Sequence, residues 1–153
     1  LIDVDDLREL VIRPTLDHLR MHSEAAENLL VGTALHESDL TFLEQNGGGP
    51  ARGIYQIEPD TLDDLHENYL SYRPDLMTKL ETIRGSGTTR LMSITGNLFY
   101  ATAVARLIYY RKRPPLPRGD DITGLAHYWK RWYNTPSGKG RVEDWIQSYE
   151  EYG

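Results

Sequence analysis

A chain of 153 residues with a net charge of −6, 26% charged residues and no cysteine is the size of one domain, able to bury roughly 68–70% of its unfolded surface without a covalent staple. The acidic balance, with both signs dispersed, argues against nucleic acid as the main partner. Attraction to an anionic surface would have to come from local patches.

Without cysteine there is no disulfide and no thiolate chemistry. No apolar run approaches the roughly 20 residues of a membrane-spanning helix, so stable membrane insertion is not expected. No signal-peptide pattern is visible either, but a chain that opens on Leu1 says nothing by that about export.

Residues 3–22 read as helical, with Leu7, Leu10 and Val11 on one face and Leu16 and Leu19 continuing it. Pro14, lacking an N–H, restarts or kinks this helix. We expect residues 1–22 to form an N-terminal helical extension packed on the outside of a single domain covering residues 1–153. Ser23 is a good N-cap, and Glu24 and Glu27 suit the positive helix end. Ala26, Leu29, Leu30 and Thr33 fall on one face, and Glu37 continues that stripe at the helix end. A carboxyl group partly withdrawn from water has a raised pKa, which is what a general acid needs. On spacing alone, a solvated surface glutamate is the commoner outcome.

Residues 41–45 are strand-compatible, and Asn46-Gly47-Gly48-Gly49-Pro50 is a strong turn cluster. Residues 53–56 read as a return strand, so the segment predicts a small β-hairpin. Pro59 suits the first turn of a helix reaching residue 71, with Leu62, Leu65 and Tyr69 on one face. Residues 74–83 read as another short helix, followed by a Gly85-Ser86-Gly87 connector and a cap at Thr88 or Thr89. Residues 95–112, TGNLFYATAVARLIYYRK, are apolar around most of a helical circumference and predict a buried helix. Arg111, Lys112 and Arg113 close it, and Pro114, Pro115 and Pro117 stiffen the link to a helix capped by Asp120 or Asp121. That helix runs to about Tyr133, with Tyr128, Trp129 and Trp132 as aromatic surface suited to core packing or sugar stacking. Residues 135–140 read as a loop, and residues 141–152 as a closing helix facing inward through Val142, Trp145, Ile146 and Tyr149.

Four ordered motifs carry a resemblance. His36-Glu37-Ser38, followed by Gly53-Ile54-Tyr55-Gln56-Ile57-Glu58-Pro59, resembles the Glu-Ser and Gly-x-x-Gln-hydrophobic-x-Pro motifs of lytic transglycosylases and goose-type lysozymes. Gly96-Asn97-Leu98-Phe99-Tyr100-Ala101 resembles the Asn-bearing start of that superfamily's central helix. Ala126-His127-Tyr128 through Trp132-Tyr133-Asn134 resembles its Tyr-Asn segment. The triple glycine and the Tyr-Ala-x-Ala-x-Ala-Arg run look more like the phage-encoded branch than the periplasmic one.

The resemblance implies a mainly α, lysozyme-like α+β fold: a helical domain with a small β-hairpin lining a substrate cleft. It implies cleavage of the β-1,4 bond between N-acetylmuramic acid and N-acetylglucosamine in peptidoglycan glycan strands, by a phage endolysin or a virion-associated lysin. The setting would be the virion or the host cytoplasm, with action at the periplasm or cell wall, and other virion proteins are possible partners. Glu37 would be the acid and Tyr133 its positioning partner, with Gln56, Tyr55, Asn97, Glu44 and Asn134 around the substrate. No cofactor is implied.

A hydrolase would need a second carboxylate. The candidates are Asp39, Glu44 and Glu58, and Glu44 is preferred because the expected hairpin turns it to the cleft. A transglycosylase needs only one glutamate, because the muramyl 6-hydroxyl closes onto the anomeric carbon. Two other classes stay open: a virion structural protein of the same fold without catalysis, and a glycan-binding module. His36, about 100° around the helix from Glu37, reads as structural. No metal site is expected, as the five histidines show no ligand spacing and HExxH is absent. The glycine run lacks the Gly-Lys-Ser/Thr ending of a phosphate loop.

Overall fold

The computed structural model describes residues 1–135 and 137–153. Its first segments, α1 (Val4–Asp6), a π-helical stretch (Leu7–Ile12) and α2 (Arg13–Leu19), follow one another without a break. The widened turns lie just before Pro14, whose ring would otherwise meet the Leu10 carbonyl. They also change the phase of the helix. Leu7, Val11 and Ile12 turn inward while Leu10, expected on the same face, is 62% exposed.

Residues 1–22 are not an outside extension. Leu7, Ile12, Leu16 and Leu19 are buried in the same core as the rest of the chain. A polar cluster fixes them there: Arg8 Nη1 donates to Glu27 Oε2 at 2.7 Å and Arg13 Nε to Glu27 Oε1 at 2.6 Å. Arg8 also reaches Asn28 Oδ1 and the Tyr149 hydroxyl, so the two ends of the chain meet over α3.

The next helix, α3 (Glu24–Ser38), starts where Ser23 Oγ accepts the Ala26 N–H at 3.0 Å and stops where Asp39 turns left-handed. It is buried around its whole circumference from Ala25 to Leu35, which marks it as a core helix. Gly32 is required for this: a Cβ there would overlap the Trp145 ring of the last helix, α9 (Val142–Tyr152). Between them in sequence come α4 (Pro59–Asn68), a 3-10 turn (Leu70–Tyr72) and α5 (Pro74–Arg84). Then follow α6 (Arg90–Gly96), α7 (Leu98–Tyr110), α8 (Ile122–Trp129) and a π-helical turn (Lys130–Asn134). No single helix among the described residues is long and apolar enough to cross a membrane.

Two further sequence expectations are corrected. The helix expected over residues 95–112 breaks at Asn97, where α6 and α7 meet at 103°. Asn97 Oδ1 accepts the Tyr100 N–H at 3.0 Å, which starts α7 afresh.

The predicted β-hairpin is absent. Among the described residues there is no β-strand, only isolated antiparallel bridges from Glu44 to Arg52 and from Arg52 to Ile57. The chain does reverse at the glycine cluster, with Gln45 N bonded to Ala51 O at 3.1 Å and Gly53 N to Leu43 O at 2.7 Å. Pleated pairing cannot spread from there. Asp39, Leu40, Gly53 and Gln56 all take positive φ, and Pro50 has no N–H to give. The mainly α part of the expected fold agrees with the structure.

Candidate active site

The end of α3 is the starting point. Its last turn carries His36 and Glu37 out of the core, and the left-handed pair Asp39 and Leu40 turns the chain away. Ser38, buried, anchors this corner by donating to the Ile54 carbonyl at 2.7 Å. That bond joins the acid-bearing helix to the Gly53–Gln56 turn. Gly53 sits at φ +79° with its α-carbon so close to the Ile94 carbonyl that a Cβ would overlap it. Gln56 sits at φ 49°, and its Nε2 donates back to the Gly53 carbonyl at 2.9 Å. The Gly-x-x-Gln spacing is therefore a folded turn that aims Gln56 into the same space as Glu37.

That space is a cleft of about 350 Å³ lined by Glu37, Gln56, Glu58, Tyr133, Asn134 and Thr135, among others. A second depression of about 480 Å³ shares Glu37, Gln56, Glu58 and Asn134 with it and runs on past Gln45, Asn46 and Lys139. The carboxyl group thus stands at the junction of two connected hollows, not at the bottom of a closed pit.

Burial dominates the electrostatics of Glu37, pushing its pKa up from 4.5 to about 7. The opposing effect is a hydrogen bond from Trp129 Nε1 to Glu37 Oε2 at 3.1 Å. Trp129 is fully buried, and the His36 ring meets its edge at 4.4 Å between centroids. Burial also lowers the His36 pKa, so the imidazole is a neutral packing partner. On the other side, Tyr133 donates to the Tyr55 carbonyl at 2.6 Å and stacks on Tyr109 at 5.2 Å. Burial and then the Glu37 charge raise its pKa well above the usual phenol value, so the hydroxyl remains a donor.

The wall opposite α3 is the π-helical turn Lys130–Asn134. Tyr133 and Asn134, at its end, both line the cleft. Lys130 Nζ holds the turn by donating to Asn134 Oδ1 at 2.8 Å and to the Gly138 and Gly140 carbonyls at 2.7 Å. Thr135, a β-branched residue at φ 78°, ends it under backbone strain at the cleft wall.

Of the residues expected at the site, Glu37, Gln56, Tyr133 and Asn134 come together. Tyr55 does not reach the cleft: it is fully buried and its hydroxyl is paired with Thr102 Oγ1 at 2.9 Å. Asn97 is not in the cleft lining; its amide caps α7 and donates to the Ile83 carbonyl. Glu44, preferred as the second carboxylate, is exposed and faces Arg52 at 3.4 Å. Asp39 lies outside the cleft, in a hollow beside Leu1 and Tyr152. Glu58 is the other carboxylate lining both depressions.

Trp132 is covered by Arg131 and Lys112, and Tyr128 is buried with its hydroxyl on the Pro114 carbonyl, so neither offers a ring to the cleft. Among the described residues no cluster of His, Asp and Glu could hold a metal ion.

Two residues that shape the site escaped the sequence reading. Trp129 reads in the sequence as part of a general aromatic surface, although its spacing of four from Tyr133 places both on one side of a helix. Lys130 carried no signal, because its partners are carbonyls of the following loop. No family model, no curated protein and no solved structure matches this chain.

Proposed function

We propose that the protein is a peptidoglycan-cleaving enzyme that acts as a lytic transglycosylase. The observation that carries this reading is the protonatable carboxyl of Glu37 at the junction of the two hollows, with a pKa near 7. At neutral pH about half of such groups hold a proton, which suits a residue that must first give a proton and then take one. Glu37 protonates the glycosidic oxygen as the C1–O bond breaks. The resulting carboxylate then removes the proton from the muramyl 6-hydroxyl as its oxygen closes onto C1. No water is consumed, and the acid is regenerated. Gln56 and Asn134 hold the sugar from the two walls, and Tyr133 ties the π-helical turn to the Tyr55 carbonyl.

Glu58 supports a second reading. A carboxylate in the same cleft is what a hydrolytic muramidase requires as base or nucleophile. Digestion of purified peptidoglycan with the wild type, Glu37→Gln and Glu58→Gln, followed by mass spectrometry, separates the readings. Products one water lighter than hydrolysis products, lost in Glu37→Gln and kept in Glu58→Gln, are expected. Ordinary reducing ends that require both residues would establish the hydrolase. No cleavage by folded wild type would overturn the enzyme reading on this substrate.

A further inference from the structure

Arg106 stands on α7 in the core, 7% exposed, among tyrosines. Its Nε and Nη1 are sealed from solvent with no hydrogen-bond partner among the described residues. A buried guanidinium without an acceptor is costly, because the group stays charged at any ordinary pH. The neighbouring Arg111 does not share this condition, being held by Asp64 Oδ2 at 2.7 Å.

Arg106 lines a depression of about 290 Å³ together with Lys112, Arg113, Tyr110 and Tyr128. No Asp or Glu lines it. The Tyr110 ring, 41% exposed, covers the guanidinium at 5.3 Å. The Tyr128 hydroxyl fixes the opposite rim by donating to the Pro114 carbonyl at 2.8 Å. Three cations line one hollow without a lining acid, and Asp64, which holds Arg111, is the acid that acts on Lys112.

From this arrangement we infer a second binding site, separate from the cleft, for a dianionic phosphate group, held by Arg106, Lys112 and Arg113. The two flexible cations at the rim meet the anion first, and the sealed Arg106 Nε and Nη1 reach its oxygens once the covering Tyr110 ring moves aside. A carboxylate would neutralise only one of the three. The two sites share no lining residue, although Tyr109 on this wall stacks on Tyr133 in the cleft.

The test uses the full chain, with calorimetric titration and thermal unfolding in sodium phosphate against sodium chloride at matched ionic strength. Phosphate should raise the unfolding temperature of the wild type, as any ligand of the native state does. The Lys112→Ala/Arg113→Ala variant, altered only at the rim, should bind phosphate at least about tenfold more weakly. Arg106→Met should fold, because it exchanges an unpaired buried charge for an apolar chain of similar reach, and should lose the phosphate shift. Glycerol 3-phosphate binding as well as inorganic phosphate would place the site on a phosphomonoester ligand, and its exclusion would confine the site to free phosphate. Absence of a phosphate-specific shift in the wild type, an equal shift in both variants, or an equal response to acetate would overturn the assignment.

Discussion

Trp129 Nε1 and Glu37 Oε2 meet at 3.1 Å across 92 positions of sequence. The bond stabilises the charged form of a carboxyl that burial otherwise keeps protonated. Trp129→Phe removes the donor and leaves an aromatic ring. The Glu37 pKa should then rise further, and the basic limb of the pH–rate profile should move upward. The smaller ring also leaves a void beside His36, so the variant should lose about 1–3 kcal/mol of stability. The pH profile of peptidoglycan cleavage, read beside a urea titration, separates the two effects. An unmoved basic limb would mean that the indole does not act on the acid.

The acid itself makes stability depend on pH. Its folded pKa of about 7 lies above the ordinary 4.5, so between those values the native state holds more protons than the unfolded chain. Stability should therefore fall as pH rises from 4.5 through 7, by at most about 3 kcal/mol. Glu37→Gln is neutral throughout and escapes this loss. The variant should be inactive yet more stable than the wild type at pH 8, with the gap closing by pH 5. Urea unfolding at the two pH values measures it, and parallel curves would show that the carboxyl is not desolvated in solution.

Part of this arrangement was legible from the ordered motifs, and the exceptions have physical causes. Glu37 lies on the α3 stripe, yet spacing alone favours a solvated glutamate; the ordered motifs of the resemblance single it out, and the same motifs place Tyr133 and Asn134. Gln56 was placed through the Gly-x-x-Gln spacing, although its left-handed backbone was not foreseen. That same backbone removes the hairpin, and with it the reason for choosing Glu44 over Glu58. Leu10 was misassigned because a π-helical stretch shifts the 3.6-residue phase. Asn97 carried a plain N-cap signal, an Asn just before an apolar helical run, which was read instead as a cleft residue. The Trp129 bond is a long-range contact, and nothing local encodes it.

Gly53 tests how far the turn governs the site. At φ +79° and against the Ile94 carbonyl, it has room for neither a side chain nor a conventional backbone angle. Gly53→Ala should cost about 2 kcal/mol or more and displace Gln56, whose amide is anchored on the Gly53 carbonyl. Cleavage should fall more than the fraction of folded protein accounts for. Circular dichroism melts paired with rates per folded molecule would show it. Wild-type stability in the variant would mean that the loop rearranges freely.

Glu27 carries the opposite pH dependence. Burial favours its neutral form, but hydrogen bonds from Arg13, Arg8 and His22 outweigh that and hold its pKa at about 2, below the ordinary 4.5. The stabilisation is fully present above 4.5 and is lost as pH falls toward 2. Glu27→Gln leaves Arg8 and Arg13 without their carboxylate beneath the first helix, and should cost about 3 kcal/mol at neutral pH. Near pH 2 the wild type has lost the same charge, so the difference between the two should shrink. Glu27 thus raises stability up to about pH 4.5, and Glu37 lowers it from there to about 7. In Glu37→Gln the falling limb should flatten while the acid limb stays; in Glu27→Gln the acid limb should flatten instead. A stability profile unchanged by either substitution would show that neither carboxyl is held as the structure places it.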